Sequence, residues 1–196
     1  EVFKNHVKTH GIVTEEPHSK QVLIALGANI ESSNSYAGLG LTLLRFTISD
    51  SLNTKQALAK HLSSGTFATL DRNHIYQVQS QQSLPIDSHA LSDIKLNSGH
   101  MCDTVLRVGM IDSAIDTTHR AFSSANINTK SFLNNNLSSP SLHGSAVASV
   151  LIGKTDELIP LLPKAELYSA EVFYRQSDFS QCSTLRAMLE ALNWML

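Results

Sequence analysis

The sequence has little charge and no long hydrophobic run. Only 16% of its 196 residues are charged, and its 15 basic and 17 acidic residues give a net charge of −2. Without a basic excess to neutralise a phosphate backbone, nucleic-acid binding is not expected. No apolar run approaches the roughly 20 residues of a membrane-spanning helix. Because charged residues are few, the polar surface of the protein must consist mainly of uncharged polar side chains. This composition is compatible with a secreted or cell-envelope protein.

Cysteine is scarce as well, with only Cys102 and Cys182 in the chain. Neither belongs to a CxxC motif, so the spacing typical of zinc sites and thioredoxin-type redox sites is missing. One disulfide between the two and two free buried thiols both remain open. The histidines form no His/Cys/Asp cluster at metal-ligand spacing, so we predict no metal site and no cofactor.

The first half of the chain has the pattern of a small α+β unit. The segment "LTLLRFTISD" alternates, with Leu44, Phe46 and Ile48 on one side, which predicts a strand with one buried face. The segment "SLNTKQALAKHLSSG" that follows predicts one amphipathic helix, capped by Ser51 or Asn53 and ended by Gly65. "QVLIALGA" and "ATLDRNHIYQVQ" predict two further strands. We place this unit at residues 1–80.

The polar, aperiodic stretch at 81–104 has the composition of an exposed linker.

The second half, 105–196, alternates strand and helix. "VLRVGMID" and "AELYSAEVF" predict strands, while "HGSAVASVLIG" and the final stretch with its Leu/Met stripe predict helices. This order is typical of a parallel α/β sheet. The last helix reaches Leu196 without a glycine stop or a following strand, so we expect an incomplete domain.

Two residues of the second half are expected to meet. Asp112 ends the first predicted strand and His143 opens the next helix, and active groups of parallel α/β sheets gather where strands end and helices begin. The carboxylate could accept the Nδ1 proton of the imidazole and stabilise the imidazolium that forms when Nε2 takes a proton. We predict these two as catalytic residues, and Gly144 as the position at which a substrate backbone approaches.

These stretches resemble two motifs of the subtilisin-like serine peptidases. "VGMIDSAID" is similar to their aspartate motif, Asp-(Thr/Ser)-Gly-x-Asp, and "HGSAVASVLIG" to their histidine motif, which begins His-Gly-Thr. Ala114 stands where the family has glycine and Ala146 where a second histidine is common. The resemblance implies that Asp112 is the orienting acid and His143 the general base of an Asp-His-Ser endopeptidase acting on peptides or proteins. It also allows calcium, for which the sequence shows no ligand set.

The resemblance extends to the first half, which is similar to the propeptides of some of these peptidases. It implies a zymogen in which residues 1–80 contact the catalytic domain in cis, with a maturation site in the 81–104 linker. The serine nucleophile is missing, since no Gly-Thr-Ser motif follows His143. The fold class expected is therefore an incomplete parallel-sheet, subtilisin-like domain behind a small α+β domain. The chain by itself is expected to be inactive.

Four serines follow the aspartate motif, but none has the sequence context of a peptidase nucleophile: Ser145, Ser149, Ser169 and Ser183.

Two alternative functions stay open from the sequence. A non-catalytic inhibitory or chaperone protein derived from such a peptidase would show the same residues. A nucleotide-binding α/β domain would fit the order of elements, but the glycine fingerprint that follows a strand in such domains is missing.

Overall fold

The computed structural model describes residues 2–3, 6–14, 16, 18–77, 104–134, 136–156, 158–176 and 180–196. Cys102 and all but the last residue of the predicted 81–104 linker, with its maturation site, lie outside them. The chain divides into two compact units, one of residues 1–76 with 184–196 and the other of residues 77–183. Strands and helices are mixed along the chain, as the sequence predicts.

The first unit is built on an antiparallel sheet. Its strands are β1 Val2–Phe3, β2 His6–Thr14, β3 Asn29–Tyr36, β4 Leu41–Thr47 and β5 Asp71–Gln77. They are ordered β3-β4-β2-β5, and β1 pairs with β2. The alternation predicted at 41–50 is confirmed, since Leu44, Phe46 and Ile48 are all buried in one core cluster. Alternate residues of a strand point to opposite faces, which explains why this set shares a single core.

The segment that we predicted as a strand at "QVLIALGA" is a helix, α1 Ser19–Ala25. The prediction was wrong because a short apolar run has no period that separates a buried strand from a buried helix. Leu23 is fully buried, and the helix is followed by Gly27, whose φ of 80° allows the chain to turn back towards β3. The helix thus packs its apolar side on the same core as β4.

The single helix predicted over 51–65 is divided into two short ones, α2 Lys55–Ala59 and α3 Ser64–Thr69. Thr54, and not Ser51 or Asn53, caps α2, because its Oγ1 accepts a hydrogen bond from the Ala57 amide. Gly65 lies inside α3 and does not end the first helix. The amphipathic interpretation still holds at Leu58, which is buried in the core.

The C-terminal helix, α5 Leu185–Met195, groups with the first unit. Thr184 caps it by accepting a hydrogen bond from the Ala187 amide. Its residues Leu185 and Leu189 pack against Ile12 and Leu43 of the sheet. The sequence argument assigned the stretch 177–196 to this helix and grouped it with residues 105–196. The helix begins only at Leu185, after a strand at Gln181–Thr184, and its leucines Leu185 and Leu189 are partly buried on the sheet of the first unit.

The second unit contains the predicted parallel sheet. Its elements are β6 Arg107–Asp112, β7 Asn126–Ser131, α4 Leu142–Ile152, β8 Glu166–Glu171, β9 Tyr174–Arg175 and β10 Gln181–Thr184. β8 lies between β6 and β7 and is parallel to both. Strand β7 was not predicted, because its sequence "NINTKS" is polar and lies in a Ser/Asn-rich stretch.

The core of this unit joins α4 to the sheet. Leu167 of β8 and Ala148 of α4 are fully buried, and Met110, Phe122 and Ile152 pack with them. Because α4 and the central strand share this core, the beginning of the helix has a fixed position relative to the ends of the strands. No helix in the described part of the chain has the length and hydropathy to cross a bilayer.

Candidate functional site

Asp112 occupies the carboxyl end of β6. It is in register with Glu171 at the end of β8, and its carbonyl oxygen accepts a hydrogen bond of 2.9 Å from the Val172 amide. That bond continues the pairing of the two strands to the point where β6 ends. The acid is therefore carried on ordered backbone, at the sheet edge where parallel α/β proteins place their active groups.

His143 is the second residue of α4, and its imidazole reaches the Asp112 carboxylate. The distance from Nδ1 to Oδ1 of Asp112 is 2.8 Å, a short hydrogen bond. The Asp112 side chain is 13% exposed and that of His143 is 51% exposed. Since a carboxylate can only accept, Nδ1 of the imidazole donates, and the neutral ring carries its lone pair on Nε2. This is the arrangement of a general base with its orienting acid.

Ser113, which the sequence argument did not single out, makes hydrogen bonds to Asp112 and to Gly144, the residue after His143. Its amide donates to Oδ1 of Asp112 at 2.6 Å, and its Oγ accepts a hydrogen bond of 2.9 Å from the Gly144 amide. Helix α4 lacks a side-chain cap of its own, because Ser141 at the N-cap position makes no capping hydrogen bond with its side chain. Ser113 thus satisfies, from the neighbouring segment, one of the free amides at the start of the helix.

Gly144 is buried where α4 meets the backbone after β6. A Cβ built at this position would lie 2.4 Å from the carbonyl oxygens of both Ser113 and Ala114. The sequence argument gave this glycine room for a substrate backbone, but the space is filled by the chain's own backbone. The structure therefore gives Gly144 a packing role, and substrate contact at this residue stays a prediction.

A further pair of contacts orders the loop after the acid. The Asp116 amide donates to Oγ of Ser145 at 2.9 Å, and Oδ1 of Asp116 accepts hydrogen bonds from the amide and hydroxyl of Thr118. The hydroxyl bond from Thr118 is the largest cause that lowers the pKa of the Asp116 carboxyl. These bonds give Asp116 a role in ordering the loop. Ser145, on α4, is a second hydroxyl that joins helix to loop.

None of the four serines considered as a nucleophile has a hydroxyl that is hydrogen-bonded to His143. Oγ of Ser145 accepts from the Asp116 amide, and Oγ of Ser149 donates to the carbonyl of Ala146. Ser169 and Ser183 are buried. Among the described residues, no serine hydroxyl is hydrogen-bonded to the imidazole. The Asp112–His143 hydrogen bond is thus formed without a serine partner among the described residues, and the His143 side chain is 51% exposed.

Neither metal nor disulfide chemistry gains support in the described part of the chain. That part contains no group of three or more His, Cys, Asp or Glu side chains that could hold a metal ion. Cys182 is buried without a disulfide partner there, and Cys102 lies outside the described residues.

Glu171, the neighbour of Asp112 across the sheet, makes stability depend on pH. Burial raises the pKa of its carboxyl, against a smaller opposing effect of the hydrogen bond with Ser131. A raised folded-state pKa means that the folded state binds the proton more tightly. The associated stability is present below the ordinary glutamate pKa and is lost as pH rises through the folded value.

We therefore expect Glu171→Gln to raise the free energy of unfolding of the second unit at neutral pH. At about pH 3, where the carboxyl is protonated in both states, the variant and the parent chain should be nearly equal. Denaturant titrations of both proteins at the two pH values measure this difference. An equal change at both pH values would show that the carboxyl charge is not its cause.

Compared over its length, the chain matches no family model and no curated protein. The likeness to subtilisin-like peptidases therefore rests on the motif residues 105–116 and 143–153 and on what their side chains do. Those two segments, distant in sequence, meet through the Asp112–His143, Ser113–Gly144 and Asp116–Ser145 hydrogen bonds.

Proposed function

We propose that this chain is the propeptide and the N-terminal part of the catalytic domain of a subtilisin-like serine endopeptidase. The observation that carries the proposal is the 2.8 Å hydrogen bond between Nδ1 of His143 and Oδ1 of Asp112, with the imidazole half exposed. It agrees with both motifs and with the position of the acid at a strand end and the base at a helix start. The nucleophilic serine belongs to sequence beyond Leu196.

In the proposed reaction, Nε2 of His143 removes the proton of the serine hydroxyl as its oxygen attacks the carbonyl carbon of the scissile peptide. The Asp112 carboxylate, on the opposite side of the ring, stabilises the imidazolium that results. The imidazolium then returns the proton to the leaving amine, and the acyl-enzyme is hydrolysed by water in the reverse order of proton transfers. General acid–base catalysis of this kind contributes about 10² to 10⁴ in rate.

The zymogen part of the proposal is supported by the contacts of α5. By the resemblance this helix belongs to the catalytic domain, yet Leu185 and Leu189 pack on the antiparallel sheet of the first unit. The amide of Gly38, at the turn before β4, also donates a hydrogen bond of 2.9 Å to the side-chain oxygen of Asn193. A propeptide that holds its catalytic domain in cis would make contacts of this kind. Secretion, or retention in the cell envelope, is part of the same proposal.

The proposal is tested with a fluorophosphonate probe, which labels only activated serines. A product translated past Leu196, through a further strand and a Gly-Thr-Ser helix, should be labelled. The same product with His143→Ala should not be labelled, because the base is lost. His61→Ala, which removes an exposed histidine of the first unit, is the control and should keep the labelling.

Labelling of the 196-residue chain would contradict the account of the missing nucleophile. Persistent labelling of the His143→Ala product would contradict the role of the imidazole. Absence of labelling in the extended product with His143 intact would contradict the peptidase itself.

A second candidate function is that of a non-catalytic inhibitor or chaperone of subtilisin-like peptidases. It is favoured by the absence, among the described residues, of any serine hydroxyl bonded to His143. A reading frame that stops after Leu196 would support it, and the 196-residue chain should then inhibit such a peptidase when added in trans. A reading frame that continues to the serine helix would remove it.

A further inference from the structure

We propose that Ser113 is the positioning residue of the Asp112–His143 pair. Its importance for catalysis rests on the proposed function, whereas the geometry that it maintains exists in this chain and can be measured there. Ser113 touches no reacting atom. It acts through its hydrogen bond to the Asp112 carboxylate and through its hydrogen bond to α4, the helix that carries His143.

Ser113 holds the acid through its backbone. The amide of Ser113 lies 2.6 Å from Oδ1 of Asp112, the same oxygen that accepts the proton of Nδ1. This bond leaves the carboxylate little freedom to rotate, because the amide belongs to the ordered backbone that follows β6. The position of Oδ1, the atom that must meet the imidazole, is thus set by the residue directly after the acid.

Ser113 holds the base through its side chain. Its hydroxyl is completely buried and accepts the hydrogen bond of Gly144, the residue after His143. Since Ser141 provides no side-chain cap, this hydroxyl replaces the usual N-cap oxygen at the third amide of α4. A capping oxygen supplied by another segment fixes the first turn of the helix relative to that segment. One residue therefore fixes both ends of the hydrogen bond between acid and base.

Ser145 provides a matched contrast on the same helix. It too joins α4 to the loop after β6 by a bond between a hydroxyl and a backbone amide, 2.9 Å long in both cases. The partner of its hydroxyl is the amide of Asp116, four residues beyond the acid, whereas the two bonds of Ser113 are made to Oδ1 of Asp112 and to the amide of Gly144. A purely structural role would make the two serines equivalent, whereas a positioning role makes only Ser113 necessary for the orientation of the imidazole.

The test measures the tautomer of His143 by ¹⁵N NMR in the 196-residue chain, at an alkaline pH where the ring is neutral. In the parent chain the neutral ring should be mainly the Nδ1–H form, as the bond to Asp112 requires. Ser113→Ala leaves the Gly144 amide buried without its acceptor. We expect the ratio of Nδ1–H to Nε2–H to fall about tenfold, and hydrogen exchange of the Gly144 amide to accelerate about tenfold to a hundredfold.

Three variants complete the design. Ser145→Ala should leave the tautomer ratio within about twofold of the parent value, although it too loses one hydrogen bond. Ser113→Thr keeps a hydroxyl and should restore the ratio. Ser113→Cys, with a weaker acceptor of similar size, should give an intermediate ratio and replaces the alanine variant if that variant does not fold.

The inference is overturned if folded Ser113→Ala or Ser113→Cys keeps the parent tautomer ratio, or if Ser145→Ala lowers that ratio as much as Ser113→Ala. A failure of the fluorophosphonate test would refute the peptidase while leaving the NMR result intact. In the extended enzyme, Ser113→Ala should lower kcat about tenfold or more with KM nearly unchanged, because the dyad and not the binding cleft is disturbed.

Discussion

Gly144→Ala is expected to destabilise the second unit and to separate His143 from Asp112. The added Cβ would lie 2.4 Å from two carbonyl oxygens, those of Ser113 and Ala114, and neither is the end of a flexible side chain. Overpacking of this kind typically costs about 1–3 kcal/mol. The helix must move away from the loop, which lengthens both the Gly144–Ser113 bond and the Nδ1–Oδ1 bond. Denaturant titration and the ¹⁵N tautomer ratio of His143 measure the two effects.

The control for this variant is Ala146→Gly on the exposed side of the same helix. Helix propensity alone predicts that Gly144→Ala stabilises the protein and Ala146→Gly destabilises it, each by about 1 kcal/mol. Packing at the loop predicts the opposite sign for Gly144→Ala, while Ala146→Gly leaves the tautomer ratio at the parent value. A Gly144→Ala protein that is more stable than the parent, with an unchanged ratio, would contradict the packing role.

The proximity of Asp112 and His143 could be predicted from the sequence because each residue lies at the end of an element with a strong sequence pattern. The continuous apolar run before Asp112 predicts a strand, and "HGSAVASVLIG" predicts a helix, so the order of elements alone puts acid and base at one sheet edge. Both elements have nearly the predicted bounds, β6 at Arg107–Asp112 and α4 at Leu142–Ile152. The distance between the side chains then follows from the parallel pairing of β6 with β8 and from the common core.

What joins the two elements could not be predicted, since it depends on contacts between segments distant in sequence. Nothing local shows that Ser113 caps a helix some thirty residues later, or that Gly144 is small because two carbonyl groups approach it. The glycine was visible in the motif, but its lack of a side chain suits a substrate and a neighbouring loop equally well. Only the three-dimensional arrangement distinguishes the two.

The first unit shows the same limit in its secondary structure. The alternation in β4 was strong enough to be predicted, whereas "QVLIALGA" has apolar residues without a clear period and forms α1. Helix α5 has a clear helical stripe at Leu185 and Leu189, but a stripe does not state which surface it will cover. Its grouping with the antiparallel sheet is a property of tertiary packing.

If the proposed function is right, Asp112→Ala is expected to lower kcat of the extended product by about 10⁴, the order of magnitude that loss of the acid costs in catalytic triads. The variant removes the acceptor of Nδ1 and leaves the imidazolium without a counter-charge. It also removes the acceptor of the Ser113 amide, so the loop loses its orientation. A fall of less than tenfold, measured with a peptide substrate at saturation, would contradict the role of Asp112.

Asp112→Asn separates the contribution of the negative charge from that of the hydrogen bonds. This is possible because a single carboxylate oxygen makes both bonds. Oδ1 accepts from the Ser113 amide and from Nδ1 of His143. Asparagine can place its amide oxygen at this point and keep both bonds, with its NH₂ group on the side of Oδ2. We therefore expect the Nδ1–H tautomer to persist and only the charge to be lost. Since a hydrogen bond to a charged group exceeds a neutral one by about 1–2 kcal/mol, kcat should fall about 10- to 100-fold. A fall of about 10⁴ together with an Nε2–H tautomer would show that the amide turns its NH₂ group towards the imidazole.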